Sequence, residues 1–186
     1  RDPNCLMGLI QVVPELDSQW IPLARKGTAE ARWTSGLTTA LAQALQFGAA
    51  DLPDYWARCK KSAVLRAWTR GTPLNDIETG FSVNPFNRLA SGDITGLADS
   101  TRFHLRAAHR IATVVVADEP IGVPSLDDVL LQLEFGLPAE ALPLLQLPMP
   151  LLRGECLRLS MAGLNNADEV FRAPADQIAK SIGEQR

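Results

Sequence analysis

The chain has 186 residues, 21% of them charged and 46% hydrophobic, a balance that excludes a disordered chain and suffices for one large or two small domains. Its net charge of −3 excludes a basic protein that coats DNA without specificity, and no apolar run reaches the ~18 residues that a membrane span needs. The charge is uneven: nine Lys and Arg against six Asp and Glu over residues 51–110 leave +3 there and −6 elsewhere, so a local basic surface is expected on an acidic body.

In chain order, Leu6–Val13 is a short apolar run ending at Pro14, readable as a strand or a buried helical turn. Helices are expected at about 15–30, 37–48, 53–69 and 73–80, around 86–90, and in one long segment at 95–116. Pro73 at a first turn with Asp76 and Glu78 close behind suits a helix N-terminus. Ser91-Gly-Asp93 supplies capping chemistry for the long helix. Pro120, Gly122 and Pro124 interrupt the pattern and mark a boundary at 118–124. Short helices follow at about 125–134, 139–145, 151–161, 166–171 and 175–182, divided by tight Pro and Gly turns. Strand signals are nearly absent. The expected fold is all-α, with a helical bundle over 1–119 and a small helix-hairpin-helix domain over 123–186.

The long helix carries Arg102, Arg106 and Arg110 at spacings of four, which sets three guanidiniums on one face, with Phe103 and His109 beside them. Its other face, Leu97, Leu105, Ala108, Ile111 and Val115, is apolar and suited to packing. Such a helix is anchored on one side and offers charge to a polyanion on the other. The bland alternative is a solvated charged face.

The order Trp68–x2–Gly71–x2–Leu74–x2–Ile77, then Gly92-Asp93-Ile94 opening a long helix that closes on Ala108, Arg110, Ile111 and Ala112, resembles the C-terminal half of Ski2-like superfamily 2 helicases. The branch it is most similar to is the DNA-repair one, with the archaeal repair helicases, helicase Q and the helicase part of polymerase theta. Leu133-Glu-Phe-Gly136, Leu142–Leu145 and Ala162-Gly163-Leu164 resemble the following helix-hairpin-helix region, and Leu9-Ile10 with Pro14–Asp17 fall where that family's helical domain begins. The resemblance implies that the 95–116 segment is the ratchet helix, which lines the pore and touches the translocating single strand. It puts the stacking aromatic at Phe103, while the family's basic residue two turns earlier falls at Thr95 or Gly96 and is lost; Arg102 and Arg106 are the candidate substitutes.

The resemblance also implies a parent that is an ATP-dependent helicase acting on single-stranded or branched DNA. Its motor and winged-helix domains would lie upstream as partners of this piece, with ATP and Mg²⁺ held in the motor. The start Arg-Asp-Pro-Asn fits a piece of something longer. A cytoplasmic setting is expected, nucleoid-associated or nuclear according to the source. No cofactor is expected in these residues, which hold no Gly-rich phosphate loop, strand-borne acid pair or arginine finger, so they are not expected to hydrolyse ATP. Two alternatives stand beside this reading: a helicase-derived protein-interaction module that no longer touches nucleic acid, and a fragment of an RNA helicase.

Other residues carry plainer expectations. Trp68, with Val64, Leu65 and Ile77, reads as core, and Trp20, Trp33 and Trp56 read the same way. Arg58, Lys60, Lys61, Arg66 and Arg70 read as a solvated face. His104 and His109 lack ligand partners at metal spacing, and Cys5, Cys59 and Cys156 read as reduced thiols, so no metal is expected. The hairpin turn Pro148–Gly154 lacks the family's glycines, and Pro150 has no N–H to donate to a phosphate. Arg153 and Arg158 remain as side-chain candidates for phosphate contact, in a unit read as a packing or regulatory domain over a DNA clamp.

Overall fold

The computed structural model describes residues 3–25, 27–115 and 126–182. Among them the chain is all-α, with one isolated bridge between Asn84 and Asn87. The α-helices are α1 (Pro3–Leu9), α2 (Pro14–Asp17), α3 (Thr39–Gln46), α4 (Leu52–Thr69), α5 (Leu74–Phe81), α6 (Ser91–Val115), α7 (Leu126–Phe135), α8 (Arg153–Met161), α9 (Ala167–Arg172) and α10 (Ala175–Ile182). Three 3-10 segments, Ile10–Val12, Gly27–Thr34 and Ala139–Gln146, join them.

α4 is the central element. Asp51 caps it by accepting from the Asp54 N–H at 2.9 Å, and Pro53 sits in the first turn, where its missing donor costs nothing. Val64, Leu65 and Trp68 of α4 enter one core with Met7, Leu16, Ile77, Ile94, Leu97 and Leu105. Gly8 lets α1 approach: a Cβ there would meet the Ser62 hydroxyl of α4 at 2.8 Å and a Leu41 methyl of α3 at 2.9 Å. The Trp68 indole donates to the Leu133 carbonyl at 2.8 Å, so its packing role, expected from the sequence, includes a satisfied N–H.

Several expectations are overturned. The segment 15–30 is not one helix. α2 ends at Asp17, residues 20–24 run without helix, and the 3-10 turn of Gly27–Thr34 follows. Pro22 cannot continue a helix, and side chains occupy the backbone there: Lys61 donates to the Leu16 carbonyl, Lys60 to the Pro22 carbonyl, and the Ala24 N–H donates to Glu30 at 2.8 Å. The helix expected around 86–90 is replaced by a turn in which Asn84 Oδ1 accepts from the Phe86 and Asn87 N–H groups at 2.9 and 3.0 Å.

The first three residues of the basic run are not a solvated face either, whereas Arg66 is half-buried and Arg70 is exposed. Arg58, Lys60 and Lys61 are 2%, 0% and 1% exposed. Arg58 forks onto Asp17 at 2.9 and 2.6 Å, and also donates to the Leu45, Phe47 and Gly48 carbonyls at the C-terminus of α3, where a cation offsets the helix dipole. Lys60 pairs with Glu30 at 3.4 Å. Burial pushes the Lys61 ammonium down to about 8, opposed by Asp17. Trp20, expected in the core, is 54% exposed, whereas Trp33 is half-buried and stacks on Phe81.

The boundary expected at 118–124 lies outside the described residues. The cores, however, divide further along. Val129, Leu130 and Leu133 of α7 join the first cluster, and the second begins at Leu137 and takes in Ala141, Leu144, Cys156, Leu159, Leu164 and Val170. α7 therefore joins the bundle core, its apolar stripe covering α6 and α4, while it also touches the 3-10 segment of Ala139–Gln146. Between the cores, Gly136 takes φ +64° to end α7, and a Cβ there would strike the Trp68 indole and the Arg153 guanidinium.

Candidate nucleic-acid interface

α6 is fixed before it is functional. The Asp93 carboxylate accepts from the Ala90 N–H at 2.9 Å, closing the first turn as the Ser91-Gly-Asp93 sequence foretold. Ile94, Leu97, Ala98, Thr101 and Leu105 are buried on one face and Ala108 is half-buried. Thr101 is further tied to the buried Gln11 amide at 3.0 Å. Ile111, expected on this face, is instead 64% exposed, and Val114 is 79% exposed. Among the described side chains the apolar seam thus closes near Ala108; that of Val115, also expected on this face, lies outside them.

The opposite face holds the expected site residues in unequal states. Phe103 is 70% exposed, and its one ring contact among the described residues is with His104, edge to face at 5.2 Å. Arg106 is exposed and has no ion pair among the described residues. Arg110 is exposed on the same side. A cleft of about 480 Å³ between α6 and α7 is lined by Arg106, His109, Arg110, Leu126, Asp127 and Leu130. Arg102 lies at the edge of this face, 26% exposed, bridging to Asp99 at 3.3 Å and to Glu134 of α7. Its charge is balanced within the protein, unlike that of Arg106.

The two arginines of the hairpin unit sit apart from α6 and are engaged internally. The Arg153 guanidinium lies 4.2 Å over the Trp68 ring and donates to the carbonyls of Gly136, Thr72 and Trp68 at 2.9, 2.8 and 3.3 Å. Burial lowers it to about 10. It pins α8 to the ends of α4 and α7, a junction role that the sequence reading missed; the nearby Trp68 and Gly136 were visible as motif residues, but their meeting with Arg153 is tertiary. Arg158 donates from Nε to the Ser181 carbonyl of α10.

At the N-terminus of α8, Glu155 accepts from the Leu152 N–H at 2.7 Å. A carboxylate thereby occupies the end of the helix where a hairpin clamp would seat a phosphate, and Pro150 has no amide hydrogen to add.

Among the described residues, no group of three or more His, Cys, Asp and Glu side chains is placed to hold a metal ion, and no helix is long and apolar enough to cross a membrane. No protein-family model and no curated protein matches this chain.

Proposed function

We propose that α6 engages the single strand of a nucleic acid, and that the chain is the ratchet and hairpin portion of an ATP-dependent DNA helicase, as the motif order resembles. The observation that carries this reading is Phe103, exposed on the outer face of a helix whose inner face is locked into the core, one turn from the unpaired Arg106. A base stacked on a surface aromatic contributes about 1–3 kcal/mol, whatever its identity. Arg106 and Arg110 lie one and two turns further along and suit successive phosphates to one side of that base. Because the inner face is packed, strand movement driven from outside would displace the strand over α6 rather than deform the helix. Arg102 joins only if a phosphate competes with Asp99 and Glu134 for its guanidinium.

ATP and Mg²⁺ belong, in this reading, to the parent's motor domains. This chain's own contribution is to hold the strand between steps. The test is fluorescence-anisotropy titration of labelled dT20, rU20 and a blunt duplex at several salt concentrations. Two phosphate contacts predict a log–log salt slope of about −1.4 for the single strand, with dT20 preferred over duplex. Equal binding of the duplex, or no salt dependence, contradicts the reading; rU20 binding better than dT20 moves it to RNA.

A second reading is favoured by one observation. Ile111 and Val114 expose apolar surface beyond the seam on the same helix, which suits docking of another protein domain, such as the parent's own motor or winged-helix domain. In that case Ile111→Ser and Val114→Ser abolish the docking and leave dT20 binding unchanged.

A further inference from the structure

We propose that the cleft between the 3-10 turn of Gly27–Thr34 and the C-terminal half of α4 is a phosphate-binding site, built from Arg32, Arg66 and Arg70. The cleft has a volume of about 450 Å³ and its lining holds these three guanidiniums and no carboxylate. Arg66 lies in the last turn of α4 and Arg70 caps its C-terminus, and Arg32 reaches the same space from the 3-10 turn. None of the three makes an ion pair among the described residues. Three like charges facing one cleft raise its positive potential and gain from an anion that neutralises them.

Two of the guanidiniums are oriented. Arg32 lies over the Trp33 ring at 4.3 Å, and Trp33 is itself held by a 2.5 Å hydrogen bond from its indole to Glu30 and by a stack on Phe81 at 4.5 Å. Arg66 donates one N–H to the Gly36 carbonyl at 3.1 Å, and its other N–H groups have no hydrogen-bond partner among the described residues. Glu30, the nearest acid in the sequence, is buried and turned away onto the Ala24 N–H, Trp33 and Lys60, so it does not neutralise the cleft. Thr72 adds a hydroxyl to the lining, while the Ser35 hydroxyl donates to the Arg32 carbonyl at 2.6 Å and braces the turn that carries Arg32.

A carboxylate is satisfied by a single arginine fork. Three guanidiniums with one hydroxyl match an anion with more oxygens and more than one charge, which is phosphate chemistry. The volume admits a diphosphate or the phosphorylated end of a strand, within the usual range of about 300–1,000 Å³ for ligand sites. The site shares no residue with the outer face of α6 and stands independently of what α6 binds.

The test is isothermal titration calorimetry of the whole chain with pyrophosphate at about 0.15 M salt, where the Debye length is about 8 Å and diffuse attraction is screened. One saturable site is expected. Arg32→Gln and Arg70→Gln, both at exposed positions, should each weaken it about fivefold or more, as loss of a charge-assisted contact does. Arg32→Lys should fall between, because it keeps charge and loses the fork. Arg106→Gln should have no effect, which separates this site from α6. Helical circular dichroism checks that each variant is folded. Two further titrations identify the source: thymidine diphosphate, and dT4 with or without a 5′-phosphate. Tighter thymidine diphosphate assigns a nucleotide, and tighter 5′-phosphorylated dT4 assigns a strand end. The proposal is overturned if pyrophosphate shows no saturable binding, if the Arg32 and Arg70 variants bind as the parent does, or if a Glu-rich peptide of equal charge competes equally well.

Discussion

Lys61→Met should make the protein more stable at neutral pH, although it removes a buried charge from the centre of the fold. The Lys61 ammonium is 1% exposed, and its only hydrogen bond among the described residues goes to the Leu16 carbonyl at 2.5 Å. Burial lowers it from 10.5 to about 8, which corresponds to about 3 kcal/mol against the charged form. Methionine removes that cost and loses a charge-assisted hydrogen bond worth about 1.5–3 kcal/mol. No group is orphaned: the Leu16 carbonyl still accepts from the Gln19 N–H at 3.1 Å, and Asp17 keeps its fork on Arg58. The net gain is about 1 kcal/mol at pH 7, or about 2–4 °C in melting temperature.

The pH dependence fixes the sign. Between the folded value near 8 and the unfolded value of 10.5, the unfolded chain holds a proton on Lys61 that the folded chain has released, so stability rises with pH. From pH 7 to 9 that rise is about 1 kcal/mol, and Lys60, also lowered by burial, acts in the same direction. Cys59, raised by burial from 9.0 to about 11, acts the opposite way above pH 9, so the window of interest ends there. Urea unfolding followed by circular dichroism at pH 7 and 9 measures both effects. The advantage of Lys61→Met should shrink by about 1 kcal/mol across that window. A variant less stable than the parent at pH 7, or an advantage that does not change with pH, refutes the reasoning.

Arg58→Ala removes the fork from the partly exposed Asp17 and takes a charged donor from three carbonyls at the end of α3, and should cost about 2–4 kcal/mol, read from the urea midpoint. Gly136→Ala forces a Cβ into Trp68 and Arg153 at a positive φ, and should lower the melting temperature by several degrees, whereas Gly163→Ala, at φ +79° with open space around it, should lower it less. Glu134→Gln frees Arg102 from its partner on α7, and should tighten dT20 binding by about two- to fivefold at low salt, with a steeper salt slope in the same anisotropy titration.

What the sequence made legible was local. The Ser91-Gly-Asp93 start of α6 and the apolar spacing of Leu97, Leu105 and Ala108 place that helix without help from the rest of the chain. The exposure of Phe103 follows from its position opposite that spacing. What was not legible depended on distant partners. Arg58 meets Asp17, 41 residues away, and Lys61 meets the Leu16 carbonyl, 45 residues away; nothing in a run of basic residues separates a solvated face from a buried frame for an irregular segment. Arg153 looked like a phosphate ligand because the carbonyls it satisfies come from α4 and α7. The charges of Arg32, Arg66 and Arg70 converge only when the 3-10 turn folds back on α4.

The central claim is that a base stacks on Phe103, and replacing that ring measures it most directly. In anisotropy titrations with dT20 at fixed salt, Phe103→Ala should bind about 10-fold more weakly, as loss of one stacked base requires. Phe103→Trp should bind at least as well as the parent, and both should keep the parent's salt slope because no phosphate contact is lost. If Phe103→Ala binds dT20 as tightly as the parent does, the strand does not use this face of α6.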